Sequence, residues 1–161
     1  MSVRSITAVA VRNFIIIFSV FSVALAGTMV IKSGMTWYDT IALPPWTPFS
    51  PLISAVWTTI FILTSVSAIL IWNRPTEDHH LRAITHLFIL NGILNISWSI
   101  LFFGLHLLGI AVIESALLDL SIIALIIFIR PRSPLAAILL IPYAAWVAFA
   151  TYLSYAIWKL N

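Results

Sequence analysis

The sequence predicts an all-α integral membrane protein, a five-transmembrane-helix bundle with a Pro- and Trp-rich lid loop between helices 1 and 2. Composition is the first reason, because 8% of the 161 residues are charged, 62% are hydrophobic and mean hydropathy is +1.12. An ordinary soluble domain is about 25% charged, and one of this size could not bury so much apolar surface. The second reason is that stretches long enough to cross a hydrocarbon core of about 30 Å recur five times along the chain.

The five spans follow from the places where charges, prolines and glycines interrupt the apolar stretches. Arg12 and Lys32 bracket the first span, and Arg74 ends the second. A short turn at 104–109 separates the third span from the fourth, which stops at Arg130. The predicted helices are 13–31, 52–73, 83–105, 109–129 and 134–158 of one domain, 1–161. The first could also be a cleaved signal peptide, although its apolar stretch exceeds the typical length of about 7–15 residues.

The basic residues predict the orientation. The N-terminus and the second and fourth connections share one side of a five-span bundle and hold Arg4, Arg12, Arg74, Arg82, Arg130 and Arg132. The other side holds Lys32 and Lys159. The positive-inside rule then places the N-terminus inside and the C-terminus outside, and we expect a bacterial cell membrane rather than a mitochondrial outer membrane. The scattered basic residues form no patch, so the net charge of +3 does not indicate nucleic-acid binding.

Residues 32–51 form the longest predicted connection and are rich in prolines and aromatic rings: Trp37, Tyr38, Pro44, Pro45, Trp46, Pro48, Phe49 and Pro51. So many prolines exclude a helix and favour extended or turn structure. One interpretation is an interfacial aromatic belt. Another is an ordered lid over a cavity, since a stiff backbone loses little entropy when it orders. Pro45-x-x-Pro48 also fits the weak pattern of SH3 ligands.

Polar and aromatic residues share faces on three predicted helices. At about 100° per residue, Asn91, Asn95 and Trp98 form one stripe on the third helix. Such amides either hold a helix–helix contact or face a ligand, because an unsatisfied polar group in lipid is costly. On the fifth helix, small Ala150 lies between large rings of Tyr143 and Trp146, and Pro142 predicts a kink. On the second helix, Trp57 and Phe61 share a face.

Two acidic residues lie within the fourth span. Asp119 is near its centre and Glu114 is nearer its start. They are about 140° apart around the helix and so do not form a catalytic carboxylate pair. The partner of Asp119 is open among Asn91, Asn95, His86 and a second copy of the chain.

The sequence contains no recognised catalytic or metal-binding motif. Cysteine is absent, and no nucleophile elbow, His-Glu-x-x-His or phosphate-binding loop is found. His79 and His80 stand beside Glu77 and Asp78, a pattern more typical of a solvated loop than of a metal site. His86 and His106 lack a supporting haem motif. We therefore assign no firm catalytic residue and no metal site.

Three segments together resemble one known family. They are the first-loop and second-helix pattern (Trp37-Tyr38, Pro44-Pro45-Trp46-Thr47-Pro48 and Val56-Trp57-Thr58), residues 95–106 (NISWSILFFGLH) and residues 142–153 (PYAAWVAFATYL). In this order on a five-span chain, they resemble the TspO/MBR family of tryptophan-rich sensory proteins. Its mitochondrial members are the translocator protein, or peripheral-type benzodiazepine receptor.

The resemblance implies a five-helix bundle, commonly a homodimer, with a ligand cavity that opens toward the first loop. It implies binding of porphyrins, benzodiazepine or isoquinoline-type ligands and, in some members, sterols, with porphyrin as ligand and no obligatory cofactor. By position, the ligand-binding residues are Tyr38, Trp57, Asn95, Trp146 and Ala150. A second tier comprises Trp37, Trp46, Asn91, Trp98 and Phe61. Leu153, Tyr155 and Lys159 fit a cholesterol-recognition pattern.

The expected function is that of a membrane receptor or sensor for porphyrins, with a transport or regulatory output. The alternatives are a light-dependent porphyrin-degrading enzyme, in which Trp57 and Trp146 would act catalytically, and a passive small-molecule transporter. The chain departs from the family pattern at several positions: Leu43, Phe49, Asn91, Ile100, Asp119 and Ser154. Leu43 replaces a usual lysine, which removes an expected lid anchor for a porphyrin carboxylate.

Overall fold

The computed structural model describes residues 3–74 and 78–161, without the side chains of 3–5 and 78. The charge of Arg4 and the polar loop at Glu77 therefore lie outside the described residues. The described chain is helical and has no strand, and five helical spans are long and apolar enough to cross a membrane. The predicted fold class is confirmed. The elements are α1 (Val3–Tyr38), α2 (Ser50–Trp72), α3 (Asp78–Ser99), a π-helical segment (Ile100–Gly104), α4 (Leu108–Ile129), α5 (Pro134–Ile138) and α6 (Ile141–Leu160).

The first helix is longer than the span predicted at 13–31. It continues past Arg12 and Lys32 at both ends, so that Trp37 and Tyr38 belong to its last turn rather than to the loop. Charged residues indicate where a helix leaves the hydrocarbon core of the membrane, but they do not end the helix, because long basic side chains can reach the interface from within it. The lid loop proper is therefore the shorter stretch 39–49.

The fifth span is broken near its predicted kink. The short helix α5 begins after Ser133, whose side chain caps it by accepting the Ala136 N–H. The chain turns at 139–140 and α6 starts at Ile141, which puts Pro142 in its first turn. A proline is tolerated there because the first-turn N–H groups have no helical acceptor. The Ser67 hydroxyl donates to the Ala136 carbonyl (2.8 Å) and ties α5 to α2.

The buried apolar side chains form two clusters. The larger joins α2, α3, α4, α5 and α6 and includes Ile71, Ile122 and Leu140. The smaller surrounds Phe102 of the π-helical segment and includes the last turn of α1. Outward-facing side chains are apolar as well, such as Phe14 (68% exposed), as expected for a surface that faces lipid.

Glycine permits the close approach between α1 and the π-helical segment. A Cβ atom built on Gly34 would overlap the carbonyl oxygen of Phe103 and lie 2.8 Å from its Cβ atom. At Gly104 an added Cβ would lie 3.6 Å from the nearest Val30 methyl, which is an ordinary contact. Backbone atoms cannot yield as a flexible side chain can, so Gly34 determines how closely α1 packs.

We expect Gly34→Ala to destabilise the protein by roughly 1–3 kcal/mol, because overpacking forces the two backbones apart. Thermal unfolding of the detergent-solubilised chain would show a lower Tm. Gly104→Ala is the matched control and should unfold close to the wild-type temperature. Equal Tm values for the two variants would contradict this account of the contact.

Candidate functional site

A cavity of about 460 Å³ lies between α1, α2, α3, α4, α6 and the lid loop, within the usual range of about 300–1,000 Å³ for small-molecule sites. All five residues of the first predicted set line it: Tyr38, Trp57, Asn95, Trp146 and Ala150. From the second tier, Trp98 and Phe61 line it too, whereas Trp37, Trp46 and Asn91 lie outside its wall. Helix periodicity predicted the shared faces of Trp57 with Phe61 and of Asn95 with Trp98, and the family resemblance supplied the first set as a whole. Neither could show which rings the neighbouring helices would cover.

Aromatic pairs hold the cavity wall. The Trp57 ring stacks on Phe61, with centroids 5.7 Å apart, and Trp98 stacks on Phe102 at 5.2 Å. The Trp146 ring packs against Phe149 at 5.3 Å. Each pair adds about 0.5–1.5 kcal/mol beyond its buried area and restricts the ring to one orientation. The wall is therefore a preformed set of aromatic surfaces.

Two indole groups of this wall have unused hydrogen-bond donors. The Nε1 atoms of Trp98 and Trp146 are buried and have no acceptor among the described residues. A buried donor without an acceptor costs about 1–3 kcal/mol. Both nitrogen atoms have almost no accessible surface, so this cost belongs to the packing of the two rings in the wall.

A buried polar network supports the cavity from behind. The Tyr143 hydroxyl donates to Asn91 Oδ1 (3.2 Å) and accepts from Asn95 Nδ2 (3.1 Å). Asn91 Nδ2 donates to Ser121 Oγ (2.8 Å), which in turn donates to the Leu118 carbonyl. Asn91 thus serves a helix–helix contact, whereas Asn95 both joins the network and lines the cavity. Ser121 carried no signal of its own in the sequence, because its role depends on the register between α3 and α4.

The lid loop is attached to α6. The Trp46 ring stacks on Tyr152 (5.4 Å between centroids, 14° between planes) and meets Phe149 edge-on. The side chain of Asn161 accepts the Ala42 N–H and donates to the Ala42 carbonyl, both at 3.0 Å. Trp46 is therefore an anchor of the lid. Pro48 is the part of the loop that reaches the cavity wall.

Trp37 anchors the end of α1 in a similar way. Its ring stacks on His106, with centroids 3.9 Å apart and 15° between planes. His106 has a positive φ of 57° in the turn between the π-helical segment and α4. This stack holds the last turn of α1, and with it the neighbouring Tyr38, against the bundle.

Comparison with known proteins shows the family. The family model of the TspO/MBR family matches residues 14–159. The chain belongs to the TspO/MBR family. It is 32% identical over 149 residues to the tryptophan-rich protein TspO of Bacillus cereus, which covers 92% of this chain and 96% of that protein. It is 34% identical over 138 residues to the translocator protein of Ovis aries (84% of this chain, 81% of that protein). It is 31% identical over 148 residues to protein CrtK of Rhodobacter capsulatus (90% and 92%).

Two departures from the TspO/MBR pattern are buried polar residues, one in the network behind the cavity and one at the cavity wall. Asn91, where glutamine is usual, has a length that suits the bridge from Tyr143 to Ser121. Ser154, where asparagine is usual, is buried and lines the cavity. Leu43 and Phe49 are exposed in or beside the lid, and Ile100 begins the π-helical segment.

The two acidic residues of α4 have buried carboxyl oxygens that bond none of the described residues. Both carboxyl oxygens of Glu114 are buried and unpartnered among the described residues, as is Oδ1 of Asp119. The hydrogen bonds of Asn91 and Asn95 go to Ser121 and Tyr143, so neither amide serves Asp119. Ser115, next to Glu114, lines the cavity.

The cholesterol-recognition pattern does not form one surface in this TspO/MBR chain. Leu153 faces the cavity, whereas Tyr155 is 43% exposed on the outside. Lys159 Nζ lies 4.8 Å from the centre of the Trp158 ring, also on the outer side. No cluster of three or more potential metal ligands occurs in the part of the chain that the structure describes.

We expect Tyr143→Phe to lower the free energy of unfolding by about 1–3 kcal/mol, because it removes the hydroxyl that serves both amides. The measurement is thermal unfolding in detergent. Tyr155→Phe is the matched control, since Tyr155 is exposed and its hydroxyl bonds no other described residue. If both variants unfolded at the same temperature, the buried network would contribute nothing.

Proposed function

We propose that this TspO/MBR protein is a membrane receptor or sensor that binds porphyrins (protoporphyrin IX and haem-type tetrapyrroles) and benzodiazepine or isoquinoline-type ligands, with a transport or regulatory output. The observation that carries the proposal is the aromatic cavity beneath the lid. Sterols are a further ligand class implied by the family resemblance, and a homodimer is the implied assembly.

The chemistry of the wall suits a flat, aromatic ligand. The rings of Trp57, Trp98 and Trp146 offer stacking surfaces, and the amide of Asn95 offers a polar contact held by Tyr143. The lining residues that the structure describes include no histidine. Met35 and Tyr38 do line it, and both residue types can ligate a haem iron, so binding would combine stacking and edge contacts with such a ligand where the porphyrin holds iron.

We propose that the N-terminus is inside and the C-terminus outside, in a bacterial cell membrane. Arg74 donates to the Arg132 carbonyl (2.8 Å) and Arg12 bonds Asn73, so these arginines share one end of the bundle. Lys159 lies at the end that carries the lid. The positive-inside rule assigns the arginine end to the cytoplasm.

Protoporphyrin IX titrations followed by its absorbance test the site. We expect Trp57→Leu and Trp146→Leu each to weaken binding roughly tenfold, which corresponds to about 1.4 kcal/mol of lost stacking. Ala150→Phe should reduce binding further, because the new ring fills the space between the walls.

Trp158→Leu is the control for these titrations, because Trp158 is partly exposed and lies outside the cavity. It should bind as the wild type does. If the control lost as much affinity as the two cavity variants, the porphyrin would be bound elsewhere on the surface.

Light-dependent porphyrin degradation is the second candidate, because three indoles surround one cavity and indoles can be oxidised. Illumination of the complex with dioxygen as oxidant should then bleach the porphyrin and yield a new product. Trp57→Phe and Trp146→Phe keep a ring for stacking, and under this candidate they should suppress the product. Bleaching at the wild-type rate in both variants would indicate free singlet oxygen and exclude the enzymatic role.

A further inference from the structure

A second, larger recess lies on the membrane-facing side of the bundle. It is a groove of about 1,060 Å³ between the N-terminal half of α1 and the helices α2 and α3. It lies opposite the lid end, and its volume is at the upper limit of ordinary small-molecule sites. None of the first predicted set except Asn95 lines it.

Two contacts define the groove. Toward the membrane centre, α1 packs closely against α3, with Val23 beside Gly92. A Cβ atom built on Gly92 would lie 3.2 Å from a Val23 methyl group. Toward the arginine end, the guanidinium of Arg12 donates to Asn73 Oδ1, and Asn73 Nδ2 donates to Asn13 Oδ1 (2.9 Å). Between these two points α1 stands away from α2 and α3, and apolar side chains line the gap.

The part of the groove between Arg12 and Val23 is about as long as one leaflet is thick, and the lining continues past Arg12 to Thr7. Arg12 and Val23 are eleven residues apart on a continuous helix, which is about 16 Å at 1.5 Å per residue. The hydrocarbon core of a bilayer is about 30 Å thick, so the gap covers about half of it. The arginine end of the groove therefore lies near the headgroups, and its inner end near the bilayer centre.

The described residues that line the groove carry charge of one sign. Arg12 is the charged residue among the described lining residues, and its Nε atom is buried with no partner. No Asp or Glu is found among the lining residues that the structure describes. The remaining lining is predominantly apolar, with Ile15, Val20 and Phe88 among the walls. A positive group at the headgroup level above an apolar channel is complementary to an anionic amphiphile.

We propose that this groove binds an anionic glycerophospholipid of the cytoplasmic leaflet, with its phosphate at Arg12 and an acyl chain along α1. A lipid is favoured over a soluble anion because its chain is already in hydrocarbon and fills the apolar gap without desolvating polar groups. The site is distinct from the proposed porphyrin cavity, although Phe61 and Asn95 border both.

Native mass spectrometry of the full, delipidated chain tests the proposal, with phosphatidylglycerol and phosphatidylcholine of identical acyl chains as probes. The wild type should retain phosphatidylglycerol in preference. Arg12→Gln should reduce that retention roughly tenfold, to the level of phosphatidylcholine, because a charge-assisted contact is lost. Val20→Trp, which fills the groove, should reduce retention of both lipids.

Arg130→Gln is the matched control, since Arg130 is exposed at the same end of the bundle but does not line the groove. It should retain phosphatidylglycerol as the wild type does. Thermal unfolding and protoporphyrin IX titration of each variant report folding and the cavity separately. A failure of the lipid site is therefore distinguishable from a failure of the proposed function.

Several results would overturn the lipid site. Equal retention of the two lipids by the wild type, or equal losses in Arg12→Gln and Arg130→Gln, would remove the role of Arg12. Displacement of phosphatidylglycerol by glycerol 3-phosphate would indicate an anion site without a role for the chain. If Val20→Trp changed the oligomeric state and left lipid retention unchanged, the groove would belong to a contact with a second copy.

Discussion

Polar groups inside the membrane must find their hydrogen-bond partners within the protein, and this requirement constrains the rest of the structure. The Tyr143 hydroxyl meets that need for two amides at once, and Ser121 completes the set, so that one network joins α3, α4 and α6. In the hydrocarbon core, such groups cannot form hydrogen bonds with water instead. The network therefore gives these helices a definite register, and Asn95, which belongs to it, is held in place at the cavity wall.

The end of α1 and the lid loop enclose the cavity, and different contacts hold each of them to the bundle. Close backbone contact at Gly34 holds the end of α1, and the Trp37–His106 stack holds its last turn. The lid depends instead on α6, through Trp46 on Tyr152 and Asn161 on Ala42. Since α6 also supplies Trp146 and Ala150, the cover and one wall of the cavity move together if α6 moves.

The sequence was most informative where the membrane imposes a local signal. Apolar stretches predicted the five spans, and helical periodicity with the family resemblance predicted the five residues that line the cavity. It was least informative where a side chain's role depends on a distant partner. Ser121 has meaning only opposite Asn91, and Trp46 and Trp37 are anchors because Tyr152 and His106 lie beneath them. The π-helical segment and the groove beside α1 arise from packing between helices, which no single stretch of sequence encodes.

The unsatisfied groups of the bundle are as informative as the satisfied ones. Asn91 on α3 is hydrogen-bonded to Ser121 on α4. Trp98 lies seven residues after Asn91, and Glu114 lies seven residues before Ser121. Because the two helices run antiparallel, the indole N–H and the carboxyl group occupy the same level, and both lack partners. The residues Ser99 and Ser115 beside them line the cavity. Hydrogen bonding is thus complete in the Tyr143 network, whereas these neighbouring groups are buried without partners among the described residues. Because the unpartnered atoms have almost no accessible surface and Glu114 does not line the cavity, the cost of leaving these bonds unmade, about 1–3 kcal/mol for each group, must be offset by the packing of the rings around them.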